Sequence, residues 1–311
     1  MKCSLVFKMN LKNFLLLLTL SCCWGPSFLF IKLGLESFGP SNLVFLRLLF
    51  GGLILLTINY LKNRKLHEYL HCYKDFFLIG LFSNALPFIF ITKGETYIPS
   101  SLAAVMNSTT PLFTAILAHL FLEDEKLKPH KIFGVLLGML GIFIIFFPSL
   151  EKMVYTDLIG CSLILLAAFS YSISFVLAKK RPHTVPTSLF PAGQLLAASL
   201  ITLPFGIQDL PSFKMISFHS YLALGCLSMV GTALAFIIYF KLIRSSGATF
   251  VSYSSLLFPI IGIFLGFVFL GETMTETVYI GSLFIFSGVI LACFYHPIKE
   301  KLFLQKKASI D

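Results

Sequence analysis

SSLAAVMNSTTPLFTAILAHLFL, residues 100–122, is long enough to cross a lipid bilayer, yet its middle carries Asn107, Ser108, Thr109, Thr110 and Pro111. Crossing takes ~20 residues at a rise of ~1.5 Å each. Proline has no N–H and its ring displaces the carbonyl four residues back, so the Asn107 carbonyl loses its helical partner. An unpaired backbone group is expensive in hydrocarbon, which turns this face toward other helices or a wet cavity. GATFVSYSSLLFPIIGIFLGFVFL, residues 247–270, repeats the arrangement, with Ser252, Tyr253, Ser254 and Ser255 ahead of Pro259. There it is the Ser255 carbonyl that the proline frees. Two interrupted, polar-centred spans in matching positions of two halves point to the binding site of a carrier.

The rest of the chain agrees with a membrane setting. It is 57% hydrophobic and 12% charged, with a mean hydropathy of +0.89, far from a soluble domain. Ten apolar stretches of spanning length follow one another: 13–35, 41–60, 75–92, 100–122, 132–148, 157–178, 188–206, 219–243, 247–270 and 277–295. The fold expected is therefore an all-α integral membrane protein of ten transmembrane helices, with no connection long enough to hold a soluble domain.

A net charge of +10 would suggest nucleic acid in a soluble protein. Here the basic residues sit in short loops. With the N-terminus inside, 19 of the 24 Lys and Arg fall on the cytoplasmic side, among them Lys62, Arg64, Lys126, Lys128, Lys179, Lys180 and Arg181. Lys32, Lys93, Lys152 and Lys214 are left outside and Arg47 within a span. Positive-inside bias explains that asymmetry without nucleic acid and places both termini in the cytoplasm. The location expected is the cell (inner) membrane. Seven cysteines lie scattered, none in an outer loop and no two at metal-ligand spacing, which argues against disulfides and a cysteine metal site. The basic-then-apolar start imitates a signal peptide, but its apolar run is too long and ends in IKLGLESFGP rather than a cleavage site.

The two halves keep one register. Trp24, Ser27, Phe28 and Lys32 of the first span correspond to Tyr171, Ser174, Phe175 and Lys179 of the sixth, 147 residues on. Arg47 corresponds to Gln194, and Glu125, Gly134 and Gly141 to Glu272, Gly281 and Gly288, at the same offset. Five spans is an odd number, so the second half enters the membrane the opposite way up. Residues 13–148 and 157–297 thus form two inverted five-helix repeats, an architecture of alternating-access carriers.

The Trp-Gly of span one, the Phe-Leu-Arg of span two and the proline-centred fourth and ninth spans resemble the drug/metabolite transporter superfamily, EamA type, across residues ~13–297. The resemblance implies ten helices, a central cavity between the halves and passage of a small organic solute without ATP. Members carry amino acids, nucleotide-like metabolites, amines or drugs. Lys93 and Glu95 in ITKGETY depart from the apolar or small residues usual there. With Arg47 they favour a charged or zwitterionic solute, an amino acid or a derivative such as S-adenosylmethionine.

Candidate substrate-binding residues are Trp24, Arg47, Asn107, Ser108, Tyr171, Gln194, Tyr253 and Ser255, with Pro111 and Pro259 as helix breakers. Arg47 stands ~9 Å deep in its span. It either holds a substrate carboxylate or pairs with Glu36 or Glu95 as a packing residue. Trp24, Tyr171, Tyr239 and Tyr253 can stack on a solute, although at 15% aromatic content most rings serve packing or interface belts. Gly134, Gly138 and Gly141, with Gly262 and Gly266, have small-xxx-small spacing for close helix contact, within the protomer or in a homodimer. His67-Glu68-Tyr69-Leu70-His71 spells HExxH, the zinc-hydrolase pattern on a helix, but it falls in a short basic loop with only His130 or His183 as a third ligand. No catalytic residue, metal or cofactor is expected.

The charge asymmetry makes a topological prediction. Single cysteines at Ser149 and Ser212 should react with an impermeant maleimide from outside intact cells, and one at Asn63 should not; the reverse labelling pattern would invert the chain.

Overall fold

The computed structural model describes residues 11–64, 66–150, 155–180, 185–208, 210–212, 215–270 and 276–308. Helices make up the whole regular structure of these residues. Seven are long and apolar enough to cross a membrane: α1 (Leu11–Gly34), α2 (Pro40–Leu61), α3 (Leu66–Gly94), α4 (Ser100–Phe121), α6 (Thr156–Lys180), α7 (Leu189–Gly206) and α8 (Phe218–Ser246). The other three expected spans are shorter apolar helices among the described residues: α5 (Pro129–Ile145), α9 (Ala248–Gly262) and α10 (Glu276–Ala292). The chain is a multi-pass integral membrane protein. Glu272, Lys152, Lys214, Arg181, His183 and Cys3 lie outside the described residues.

Five of these helices are interrupted, each for a local reason. Gly25 and Pro26 break α1, since Pro26 has no N–H to continue the ladder. A π-helical turn at Leu81–Ala85 precedes Pro87 in α3, and another at Met229–Leu234 divides α8. Ser108 and Thr109 turn between the two parts of α4. A 3-10 stretch, Tyr253–Leu257, leads into the proline-bearing part of α9. Every such turn leaves a carbonyl that the ladder does not reach.

Three pairs of equivalent helices pack on one another, α2 on α7, α4 on α9 and α5 on α10, while α1 packs on α8 and α3 on α6; the α2–α7 pair is antiparallel. Asn42, at one end of α2, donates to the Gly206 carbonyl, and Asn59, at the other end, donates to that of Ser188. Ser108 of α4 donates to the carbonyl of Ser255 in α9, its counterpart 147 residues on. The α5–α10 crossing brings backbone against backbone. A Cβ on Gly134 would stand 2.6 Å from the Gly288 oxygen, and one on Gly141 2.4 Å from that of Gly281. These glycines therefore serve contact inside the protomer, whereas Gly262 has nothing within 4 Å of an added Cβ.

One acidic side chain ties a connection to a helix start. Glu125, in the α4–α5 connection, accepts the N–H groups of Ala248 and Thr249 at 2.7 and 2.8 Å. Negative charge at a helix N-terminus satisfies orphan donors and complements the dipole. Gly247 allows the approach through φ +89°, and a Cβ there would stand 2.2 Å from the carboxylate.

The glycine crossing predicts opposite effects at two glycines. Gly141→Leu must push two backbones apart and should destabilise by ~1–3 kcal/mol. Gly262→Ala should be neutral or stabilising by up to ~1 kcal/mol, through helix propensity. Melting in detergent, followed by loss of the monodisperse species, measures both; equal effects would refute the crossing.

Candidate functional site

The breaks in α1, α4 and α9 converge on a narrow cleft between side chains. Trp24, Ser27, Phe28 and Ile31 line it from the break in α1 onward, and Arg47 from α2. Phe88 and Ile91 of α3 close one wall, with Asn107 and Thr110 from the turn in α4. Tyr171 and Phe175 of α6 and Ser254, Ser255 and Phe258 of α9 complete it. The lining is chiefly apolar and aromatic, with polar groups at few points, the usual composition of a small-molecule site.

Arg47 is the fixed charge of this wall. It is 4% exposed and pairs with neither Glu36 nor Glu95. Its Nε donates to Thr232 Oγ1 at 2.8 Å and its Nη2 to the Gly231 carbonyl at 3.1 Å. The guanidinium carbon lies 3.9 Å from the centre of the Phe88 ring, within cation–π range. Gly231 can accept because of the π-turn: the Ala235 N–H bonds the Val230 and Thr232 carbonyls and passes over that of Gly231. Trp24 Nε1 donates to the same oxygen at 3.1 Å. Held only by neutral acceptors, Arg47 keeps its full charge toward an anion in the cavity.

The structure redistributes the other expected residues. Trp24, Arg47, Asn107, Tyr171 and Ser255 meet around the cavity. Ser108 does not line it, because its hydroxyl is spent on the Ala104 and Ser255 carbonyls at 2.8 and 2.7 Å. Gln194 is fully buried and donates to Asn84 Oδ1 at 2.8 Å. Tyr253 is 1% exposed and packs edge-on against Phe250. Tyr239 is buried among Trp24, Phe175, Phe236 and Phe240.

The freed carbonyls are also not offered to a solute. Thr110 Oγ1 takes the Asn107 carbonyl at 2.6 Å, as Ser108 takes that of Ser255. A hydroxyl in reach satisfies such an oxygen where hydrocarbon cannot. What Asn107 does present is its side chain, whose Oδ1 has no hydrogen-bond partner among the described residues. Lys93 is exposed and Glu95 fully buried, and neither lines the cavity.

Residues 11–147 and 158–294 each match the EamA-like transporter family. The chain belongs to that family. Relatives of this EamA-like transporter include the uncharacterized transporter YoaV of Bacillus subtilis, 23% identical over 89% of this chain and 95% of the relative. The uncharacterized inner membrane transporter YedA of Escherichia coli is 27% identical over 92% of each chain. A crystal structure 20% identical to this chain shares its fold, with a TM-score of 0.74 over 90% of this chain and 97% of the other.

Relatives and family are transporters, not enzymes. The HExxH stretch lies on an exposed 3-10 turn, Leu66–Cys72. Four residues at three per turn leave His67 and His71 on different faces rather than on one. No group of three potential metal ligands comes together among the described residues.

Phe28, Phe88, Phe175, Phe258 and Ile91 were not singled out by sequence and form much of the wall. Phe175 had a weak signal, as the repeat partner of Phe28 beside Tyr171. Phe88 had another, standing directly after Pro87. The rest cannot be told from packing aromatics by spacing.

The shared Gly231 oxygen yields a test. Arg47→Lys keeps a cation but loses the planar fork that reaches Thr232 and Gly231 together. The variant should fold with a loss of ~1–2 kcal/mol and a shifted emission of Trp24, the only tryptophan. Unchanged emission would dissociate Arg47 from the Trp24 wall.

Proposed function

We propose that this EamA-like transporter is a secondary carrier of ten spanning helices, arranged as inverted five-helix repeats with boundaries near 13–148 and 157–297. It moves an amino acid, or a derivative such as S-adenosylmethionine, by alternating access. The observation that carries this reading is an Arg47 with no ion-pair partner among the described residues, lining an aromatic cavity together with the open Oδ1 of Asn107.

A zwitterion suits that pair. Its carboxylate binds the guanidinium, while its ammonium donates to Asn107 Oδ1 and lies over the Tyr171 or Trp24 ring. An apolar side chain fits against Phe28, Phe175 and Phe258. Antiparallel packing of the equivalent α2 and α7 supports the inverted arrangement, in which the site opens to one side and then the other by rocking of the halves. Export of amines or drugs is the second reading, favoured by the aromatic lining. Arg47 weighs against it, since a cation would meet a fixed positive charge.

Counterflow in proteoliposomes tests the choice, with labelled L-phenylalanine, L-leucine, S-adenosylmethionine and a polyamine as alternatives. Amino-acid exchange should exceed that of protein-free vesicles. Asn107→Ala should reduce it about two- to tenfold, the worth of one hydrogen bond, with melting nearly unchanged. Exchange of the polyamine alone would select the second reading, and correctly inserted protein inert toward all four would remove the substrate assignment.

A further inference from the structure

Glu95 stands one helical turn beyond Ile91, a cavity-lining residue whose carbonyl accepts the Glu95 N–H at 2.9 Å. It is 0% exposed, and neither carboxylate oxygen has a hydrogen-bond partner among the described residues. Lys32 reaches it from α1, but its ammonium donates to the backbone carbonyl, at 2.7 Å. Of the two cations that act on its carboxylate, Lys32 has the larger effect and Arg47 of α2 the smaller, and Arg47 also interacts with Tyr171 of α6. The acid of the α6 helix start is Asp157, and Lys93 and Tyr97, on the Glu95 segment itself, are exposed. Among the described residues no cation lies within ion-pair distance of the Glu95 carboxylate.

An ionised carboxylate cannot rest there cheaply, with no hydrogen-bond donor among the described residues and the nearby Lys32 ammonium spent on a backbone carbonyl. Protonation removes the charge, so this arrangement is one that suits Glu95 as the neutral acid. Ionised, Glu95 would draw on Lys32 and also on the Arg47 guanidinium, whose hydrogen bonds go only to neutral acceptors. A solute carboxylate at Arg47 has the opposite effect. It occupies the guanidinium and brings a second negative charge near Glu95, which favours the protonated form.

We propose that Glu95 is the proton-binding group of this carrier, and that it and the solute's anionic group compete for Arg47. This rests on the reading that places an anionic group at Arg47. Solute binding then takes up a proton from the surrounding water, Glu95–COO⁻ plus H⁺ giving Glu95–COOH. Linkage is reciprocal, so the proton raises solute affinity as much as the solute raises proton affinity. Both travel the same way, and the carrier is a proton symporter.

The experiment is a pH titration of purified full-length protein in lipid nanodiscs, wild type against Glu95→Gln, without solute. Trp24 emission reports the Arg47 position through the shared Gly231 oxygen, and melting temperature reports proton linkage. In wild type, emission should change with a midpoint above that of a free glutamate, because burial disfavours the charged form. Stability should fall over the same interval as pH rises, because the folded state holds the proton more tightly. Glu95→Gln, an uncharged mimic of the acid, should fold with the wild type's low-pH melting temperature and lack both changes. A wild type flat on both readouts, or a transition that persists in Glu95→Gln, overturns the proposal. In proteoliposomes an inward-directed proton gradient should drive L-phenylalanine accumulation by wild type, and Glu95→Gln should not respond to that gradient. Accumulation that Glu95→Gln drives equally well also overturns it. If neither form carries L-phenylalanine, the substrate reading fails, and the solute-free titration still decides Glu95.

Discussion

Hydrocarbon cannot hydrogen-bond, and the rest of this structure depends on how that debt is met at a few interrupted helices. The two π-turns each leave a carbonyl behind. In α3 the Leu86 N–H reaches back to Leu81, and the Phe82 carbonyl is taken by Ser170 of α6. In α8 the Gly231 carbonyl is taken by Trp24 and Arg47 together. Ser108 answers for Ser255, and Thr110 for Asn107. Apart from Thr110, each donor comes from a helix remote in sequence, so local irregularities become contacts between helices. The same contacts aim Trp24, Arg47 and Asn107 at one space.

That is why the broad plan is legible in the sequence and the details of the site are not. Hydropathy and the 147-residue register are properties of the chain, and they carry the helical architecture and the matched interruptions. Pro111 and Pro259 mark where carbonyls come free. They do not say which hydroxyl will claim them, because Ser108, Thr109, Thr110, Ser252, Ser254 and Ser255 are equivalent on paper. Gln194 illustrates the limit. It holds the register position of Arg47, yet it turns to Asn84, whereas Arg47 turns to a carbonyl freed by a π-turn that no proline announces. Tyr253 and Ser255 differ by two residues, and the 3-10 winding there sends one into packing and the other to the cavity.

Arg47 combines two requirements that usually conflict. A buried cation needs partners, and an acid would satisfy it best. An acid bound to it, however, would neutralise the charge offered to a ligand. Gly231, Thr232 and the Phe88 ring resolve this with dipoles and a quadrupole. They position the guanidinium without cancelling it.

The glycine pairs of α5 and α10 have a mechanical side. Helices ordinarily mesh as ridges in grooves, and turning one against another means lifting side chains out of their slots. Where Gly134 faces Gly288 and Gly141 faces Gly281, the missing side chains let the backbones approach, and Ile145, Ile285 and Ala292 fill the hollows the glycines leave. Backbone rests on backbone, while Phe133, Leu136 and Leu140 point away to the exposed side. Such a crossing is a latch of fixed register: Gly134, Gly141 and Gly281 are each a socket for one side chain of the partner helix, so the two helices are keyed along their length as well as held close.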